Sequence, residues 1–144
     1  MTLLDAYPLV ALIADEAAAG EVEELLRGGD ARVAVVNLCE VIDVCRRVHA
    51  VPLDDVRAVI QPLLLVGTLM AVVSGEREAW IAANVRARYY DRKTRALSLA
   101  DCLMLAHASV SGEDVATADP AVAEVARSEG LALIPLPDST GARP

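Results

Sequence analysis

Four acidic residues each stand where an apolar, strand-like run gives way to a helical one. They are Asp5, Glu40, Asp101 and Asp119. In an open parallel α/β sheet such junctions meet at one edge, where ligands bind, so these distant side chains are expected to converge. Carboxylate oxygens suit Mg²⁺ and Mn²⁺, and such ions lower the pKa of a bound water and stabilise charge on a phosphate. The placement of the acids therefore predicts a metal site suited to hydrolysis.

Each acid also has an explanation as a helix cap. Two pairs have the spacing of a capping box, and two acids can cap a helix alone. The pairs are Asn37 with Glu40 and Ser98 with Asp101, and the single acids are Asp5 and Asp119. Ser, Thr or Asn would cap equally well, and uncompensated carboxylates repel one another unless a cation relieves them. Together the four favour a metal site, and a non-catalytic interaction module whose acids are only caps is the alternative.

Other kinds of site have less support. His49 and His107 lack a partner at ligand spacing, so we interpret them as ordinary surface or helix-end residues and not as zinc ligands. The sequence contains neither of the main nucleotide-binding glycine loops and no G-x-S-x-G elbow. A phosphoryl-accepting receiver or phosphatase-like domain is disfavoured, because no adjacent acid pair follows the first strand and Lys93 is the only lysine.

The elements expected to position the acids alternate short strands with helices. Strands are predicted over 2–4, 32–36, 68–73, 114–117 and 131–136, and helices over 6–14, 21–27, 38–48, 52–66, 76–90, 99–110 and 120–129. This alternation predicts a three-layer α/β/α fold with a mainly parallel central sheet. Residues 1–136 are expected to form a single domain, followed by a flexible tail over 137–144.

Three features of the sequence predict where in the cell the protein acts. The three cysteines, Cys39, Cys45 and Cys102, lie among apolar neighbours and are interpreted as reduced, buried residues of a cytoplasmic protein. No signal peptide is recognisable. The uncharged stretch 58–75 contains a proline and a glycine, so we interpret it as a helix end, a turn and a buried strand, not as a membrane span.

The charge of the chain is negative overall but unevenly distributed. A net charge of −8 argues against broad electrostatic binding to nucleic acid, although part of it belongs to the predicted metal site. Several basic residues nevertheless lie close together between positions 86 and 95. They are Arg86, Arg88, Arg92, Lys93 and Arg95. They are candidates for phosphate contacts, and a solvated helix face is the alternative.

Four segments of the chain, taken in order, resemble the acidic segments of PIN-domain nucleases. They read L-L-D-A-Y-P-L-V-A-L-I, N-L-C-E-V-I-D-V, L-S-L-A-D-C-L-M-L-A-H-A and V-A-T-A-D-P-A-V-A-E-V-A. Size and motif style are most similar to the VapC toxins of type II toxin–antitoxin pairs. The resemblance implies a PIN-like fold and a Mg²⁺- or Mn²⁺-dependent ribonuclease whose metal-binding acids are Asp5, Glu40, Asp101 and Asp119.

The resemblance also implies supporting residues and partners. Thr117 would support the site by hydrogen bonding, and the basic residues 86–95 would position the RNA backbone. Asp43 lies one turn beyond Glu40 and is a further candidate, with an ion pair to a neighbouring arginine as its alternative. The implied partners are a second copy of the chain and a cognate antitoxin that blocks the site. Tyr7 departs from the family, which often has a small hydroxyl residue at that position.

Overall fold

Five strands alternate with seven helices in the structure, a computed structural model that describes residues 1–144. The strands are β1 (Thr2–Leu4), β2 (Ala31–Ala34), β3 (Leu69–Val72), β4 (Asp114–Thr117) and β5 (Leu133–Pro135). The helices are α1 (Ala6–Ala14), α2 (Ala19–Arg27), α3 (Val35–Arg47), α4 (Leu53–Val66), α5 (Glu76–Tyr89), α6 (Leu99–Ser111) and α7 (Pro120–Ser128).

The strands form one sheet in the order β3-β2-β1-β4-β5, and every neighbouring pair is parallel. Leu4, in the central strand β1, lies opposite Val33 on one side and Ala116 on the other. Parallel neighbours need crossover connections, which the helices supply. The predicted α/β fold is confirmed, and its sheet is wholly parallel. The ends of β1, β2 and β4 meet at one edge, named here the carboxyl edge.

A hydrophobic core covers each face of the sheet, which gives the three predicted layers. Leu3 and Leu4 are both fully buried but belong to different cores, because successive side chains of a strand point to opposite faces. Leu4 packs with the core that includes Leu9 of α1, and Leu3 packs with the core that includes Leu105 of α6. Both cores are aliphatic, as expected for helices on a parallel sheet.

The start of α3 differs from the prediction. The helix begins at Val35, and Ala34 occupies the N-cap position without a side-chain hydrogen bond. Asn37 is therefore inside the first turn and is fully buried, so it does not cap the helix. Its amide donates to Asp5 instead, across 3.3 Å. This tertiary contact overrides the local capping pattern, which is all that the sequence shows.

Residues 58–75 were predicted to end in a buried strand. That strand, β3, lies at the border of the sheet. Strand β3 pairs only with β2, so its outer side has no neighbour. Leu69 is buried, whereas Met70 is 51% exposed and Val73, just beyond the strand, is 78% exposed. The helices of this structure are all too short or too polar to cross a membrane.

One cysteine is not where it was expected. Cys45 and Cys102 are buried, whereas Cys39 is exposed, and all three are free thiols. Along α3 the buried residues are Asn37, Val41 and Cys45, which recur every four positions on one face. Cys39 lies off this face and therefore contacts solvent.

The last eight residues make several contacts with the domain. The Asp138 carboxylate accepts hydrogen bonds from the backbone of Thr140 at 2.8 Å and of Ala142 at 3.0 Å. Arg143 pairs with Glu21 of α2 at 2.6 Å and donates to the Pro135 carbonyl. The flexibility predicted for 137–144 stays a prediction, and amide hydrogen exchange would test it.

A buried ion pair lies at the sheet edge opposite the carboxyl edge. The Glu113 side chain is fully buried, and its Oε1 is 2.7 Å from Nη1 of Arg32. Neither Glu113 oxygen has a partner in hydrogen-bond geometry, so charge holds the pair together. We expect Arg32→Met to lower the free energy of unfolding by about 3 kcal/mol, because it removes the guanidinium from a buried carboxylate and leaves only His107 nearby, with Nε2 at 3.7 Å from Glu113 Oε2. Urea denaturation measures this loss. The double variant Arg32→Met/Glu113→Leu should recover most of it, and an unchanged single variant would contradict the expectation.

Candidate active site

All four predicted acids line one pocket of about 340 Å³ at the carboxyl edge. Asp5 follows β1 and Asp119 lies two residues beyond β4. Asp101 is in the first turn of α6, and Glu40 is in the second turn of α3. Asp5, Glu40 and Asp119 come after strands β1, β2 and β4, whereas α6 follows α5 with no strand between them, so Asp101 does not stand at the predicted strand-to-helix junction. A larger groove of about 420 Å³ between α3 and α4 is mainly apolar and contains no acid.

Asp5 is the most constrained of the four acids. It is only 5% exposed. Its Oδ1 accepts from the Ala6 backbone at 2.7 Å and from Asn37, and its Oδ2 accepts from the Thr117 hydroxyl at 2.7 Å. Burial, and then the charge on Asp101, raise the pKa of Asp5 to about 7. Without a cation nearby, Asp5 is therefore about half protonated near neutral pH.

Asp101 and Asp119 use one carboxylate oxygen each to cap a helix. Asp101 Oδ2 accepts from the Ser98 backbone at 2.6 Å and Ser98 Oγ accepts from the Asp101 backbone at 3.0 Å, so the predicted capping box is present. Asp119 Oδ1 accepts from the backbone of Ala121 at 2.6 Å and of Val122 at 3.3 Å. The second oxygen of each acid makes no hydrogen bond within the chain. Capping and ion binding are therefore compatible in the same side chain.

Glu40 is half-buried and has no capping role. The capping box predicted for Asn37 and Glu40 is absent, because α3 begins two residues before Asn37. Glu40 Oε2 and Asn37 Oδ1 are both buried without a hydrogen-bond partner. Burial raises the pKa of Glu40, and the charges on Asp101 and Asp43 add to this effect. Buried acceptors without donors are costly, and a cation at the pocket would satisfy them.

The donor set fits a divalent cation, although its present geometry is not that of a closed coordination site. No three His, Cys, Asp or Glu side chains lie close enough together to hold an ion. The chemistry of the donors matches Mg²⁺ or Mn²⁺, because the pocket offers four carboxylates and no thiolate. Ion binding therefore requires side-chain movement. The exposed Asp119 and the half-buried Glu40 have more freedom to move than Asp5.

The two predicted supporting residues have different surroundings. Thr117 is fully buried, and its hydroxyl donates to Asp5 while accepting from the Asp119 backbone at 3.0 Å. It therefore links two of the acids. Asp43 is exposed and pairs with Arg47 at 2.9 Å, which lowers the pKa of Asp43. The structure favours the ion-pair alternative for Asp43.

The basic residues at 86–95 do not form one free positive surface. Arg88 pairs with Glu129 at 3.0 Å, and Arg95 pairs with Glu124 of α7. These two charges are largely compensated within the chain. Arg92 and Lys93 are exposed in the turn after α5 and form no ion pair.

Arg86 is the member of this group nearest the acids. Its guanidinium donates to the Leu97 carbonyl and lies 4.1 Å from the centre of the Tyr90 ring. Burial raises the pKa of Asp101, and the hydrogen bonds from Ser98 and the charge of Arg86 oppose that rise. Arg86 is therefore the basic residue of this group best placed to act near the pocket.

The structure also places His49 and Tyr7 in the wall of the acidic pocket. His49 could not be grouped with the acids from the sequence alone, because it lies in the turn after α3 and has no neighbouring ligand residue. Only the packing of α1 against α3 brings it to the pocket. Its one sequence signal is that it is one of only two histidines in the chain.

The chain is an α/β protein with a wholly parallel sheet and an acidic pocket at the carboxyl edge of that sheet. Residues 2–128 match the PIN domain family. The chain therefore belongs to the PIN domain family, which confirms the resemblance drawn from the sequence. None of the curated proteins matches the chain.

Several solved structures share the fold. A DNA-bound VapBC from Salmonella typhimurium has a TM-score of 0.68 and 19% identity, covering 92% of this chain and 96% of that chain. VapBC2 from Rickettsia felis, bound to a fragment of its promoter, has a TM-score of 0.67 and 15% identity with the same coverage. A toxin–antitoxin complex from Klebsiella pneumoniae has a TM-score of 0.59 and 17% identity, covering 83% of this chain and 87% of that chain.

Proposed function

We propose that this PIN-domain protein is a Mg²⁺- or Mn²⁺-dependent ribonuclease that hydrolyses RNA phosphodiester bonds. The observation that supports it best is the convergence of Asp5, Glu40, Asp101 and Asp119 in one pocket. Their environment raises the pKa of Asp5, Glu40 and Asp101, as expected for carboxylates that lack a cation. Glu40 has no capping role, yet it lies in the same pocket as the three acids that cap helices.

The acids would hold the ion in complementary ways. Asp5 is fixed by three hydrogen bonds, and one of its donors, the Thr117 hydroxyl, also accepts from the Asp119 backbone and so connects the two residues. Asp101 and Asp119 each offer the oxygen that is not used in capping, and Glu40 offers a buried oxygen without a partner. A bound divalent ion supplies an activated water and stabilises charge on the phosphate. No side-chain nucleophile is required.

We further propose that the chain is the toxin of a toxin–antitoxin pair, acting in the cytoplasm as a homodimer. Support comes from the structural relatives, whose descriptions name toxin–antitoxin complexes. Exposed apolar side chains also favour protein partners, since Leu65, Val73 and Trp80 are 77%, 78% and 68% exposed. The cognate antitoxin would cover the acidic pocket and block it.

The second candidate function is a non-catalytic interaction module on the same fold. Asp5, Asp101 and Asp119 do cap helices, and no three acids are close enough to hold an ion as they stand. Both observations agree with acids that have only a structural role. Metal binding and cleavage separate the two functions.

Mn²⁺ is expected to raise the melting temperature of the wild-type protein. An ion that binds only the folded state, at a free concentration of 100 times its Kd, adds about 2.7 kcal/mol, which corresponds to a shift of roughly 8 °C for a chain of this size. Differential scanning fluorimetry measures the shift, and EDTA should reverse it and stop cleavage of a labelled RNA. The variant Asp5→Asn/Asp101→Asn should show no shift. An equal shift in this variant, or none in the wild type, would support the interaction module.

A further inference from the structure

His49 is the only basic side chain among the residues that line the acidic pocket. It lies in the turn that ends α3, where its backbone donates to the Val44 carbonyl at 3.4 Å. The next residue, Ala50, has a φ of 54°, in the left-handed region that a residue with a Cβ rarely adopts. This turn reverses the chain so that His49 faces α1. A strained turn thus holds a basic group at the end of an acidic groove.

Glu16, just beyond α1, braces the His49 ring. His49 Nε2 lies 3.8 Å from Glu16 Oε1, and the two side chains are 26% and 20% exposed. Neither ring nitrogen makes a hydrogen bond within the chain, so both remain available to a ligand. The contact fixes the ring against the groove wall without satisfying its donors.

Tyr7 continues the same wall toward Asp5. Its hydroxyl and Glu16 Oε2 are both buried, and neither has a partner in hydrogen-bond geometry. The two groups are nevertheless close to each other. Burial raises the pKa of Tyr7, and the nearby Glu16 carboxylate raises it further. Tyr7, Glu16 and His49 therefore form a polar wall between α1 and α3.

The length of α3 separates His49 from the acids. His49 is nine positions beyond Glu40, which is about 13 Å along the helix axis at 1.5 Å per residue. His49 is thus too far from the proposed ion to touch the phosphate that is cleaved. A phosphate further along the bound RNA strand would lie at about this distance from the cleaved one. An RNA strand crossing the acids and continuing between α1 and α3 would reach it.

We propose that the groove between α1 and α3 holds the RNA strand beside the cleavage site, and that His49, braced by Glu16, contacts a backbone phosphate there. This inference rests on the ribonuclease function proposed above. His49 is the one basic side chain in the wall of an otherwise acidic pocket, so it is the place in this wall where a phosphate finds a donor and no carboxylate. The role is binding and positioning, and the cleaved bond itself is handled at the four acids.

RNA binding by matched variants tests the proposal. Fluorescence anisotropy at pH 6 would use a labelled single-stranded RNA with phosphorothioate linkages that resist hydrolysis, in the presence of Mg²⁺. His49→Gln should raise Kd about tenfold, the size expected for a charge-assisted hydrogen bond. It should also reduce the slope of log K against log salt by about 0.7, the value for one phosphate contact on a single strand.

Two further variants separate a phosphate contact from a structural role. His49→Lys retains a cation and should restore both Kd and the salt slope. Arg27→Gln removes an exposed charge at the end of α2, where Arg27 pairs only with Glu23 at 2.9 Å, and should change neither quantity. In cleavage of unmodified RNA, His49→Gln should raise KM while kcat stays within about twofold.

Each outcome decides the question. An unchanged Kd and slope in His49→Gln would overturn the proposal, and so would a His49→Lys variant that binds as weakly as His49→Gln. If the wild type binds RNA through His49 but never cleaves it, the contact stands and the ribonuclease function fails. If no variant binds RNA, both are overturned.

Discussion

Without divalent ions, the wild-type protein is expected to lose about 3 kcal/mol of unfolding free energy between pH 5 and pH 8. The cause is Asp5, whose pKa is raised from 3.8 to about 7 by burial and by the charge on Asp101. Each unit of difference between folded and unfolded pKa corresponds to 1.36 kcal/mol, so the whole effect is roughly 4 kcal/mol. Urea denaturation in EDTA across this pH range measures it.

The direction of the effect follows from which state binds the proton. Between pH 4 and pH 7 the folded protein keeps Asp5 protonated while the unfolded chain releases that proton. The stabilisation is therefore complete below about pH 4 and is lost as pH rises through 7. The raised pKa values of Glu40 and Asp101 act in the same direction. A bound cation opposes the loss, so Mn²⁺ should stabilise the protein more at pH 8 than at pH 5.

Two variants serve as the test and the control for this prediction. Asp5→Asn should flatten most of the pH dependence, because asparagine keeps an oxygen for the Ala6 backbone and carries no charge. Asp54→Asn, at a carboxylate on α4 whose side chain is 92% exposed, should keep the wild-type profile. A wild-type protein that is equally stable at pH 5 and pH 8 would show that Asp5 is ionised in the folded state.

Asp101→Asn is expected to lower kcat/KM for RNA about 10³-fold while leaving the fold intact. The loss corresponds to about 4 kcal/mol of transition-state stabilisation, in the range that a bound metal ion supplies. The helix should survive, because the asparagine oxygen can still accept from the Ser98 backbone as Asp101 Oδ2 does at 2.6 Å. Cleavage of a labelled RNA measures the first effect, and circular dichroism measures the second.

The same loss should follow Glu40→Gln, which removes a charge without disturbing a cap. Asp54→Asn again provides the control, since it removes one carboxylate from an exposed surface outside the pocket. Full cleavage by Asp5→Asn/Asp101→Asn would contradict the assignment of these acids.

The order of elements could be predicted because each depends on local pattern. Short apolar runs and helical spacing predicted most boundaries within about two residues of the observed ones. The beginning of α3 was wrong because Asn37 is a good cap locally, whereas its amide is used by Asp5, 32 residues away. The prediction that β3 is buried was wrong, because the sequence does not show which strand lies at the border of the sheet.

The acids of the site could also be predicted from the sequence, whereas the ion pairs around it and His49 could not. Asp5, Glu40 and Asp119 could be named because parallel strands all deliver their following residues to one edge, whereas Asp101 reaches that edge at the start of α6, which follows no strand. The ion pairs of Arg88 and Arg95 with α7 could not be predicted, because they depend on how two helices pack. His49 was missed for the same reason, since only the approach of α1 and α3 places it beside the pocket.

Asp101 and Asp119 each use one carboxylate oxygen to cap a helix and leave the other free, and this affects how the proposed ion would bind. Asp101 and Asp119 fix the starts of α6 and α7 with one oxygen each, whether or not a cation is present. Backbone order around the pocket is therefore reached during folding, not when the ion arrives. Capture then needs only side-chain rotations, so little conformational entropy is lost in that step. The pocket should accept and release its ion quickly, with its scaffold unchanged.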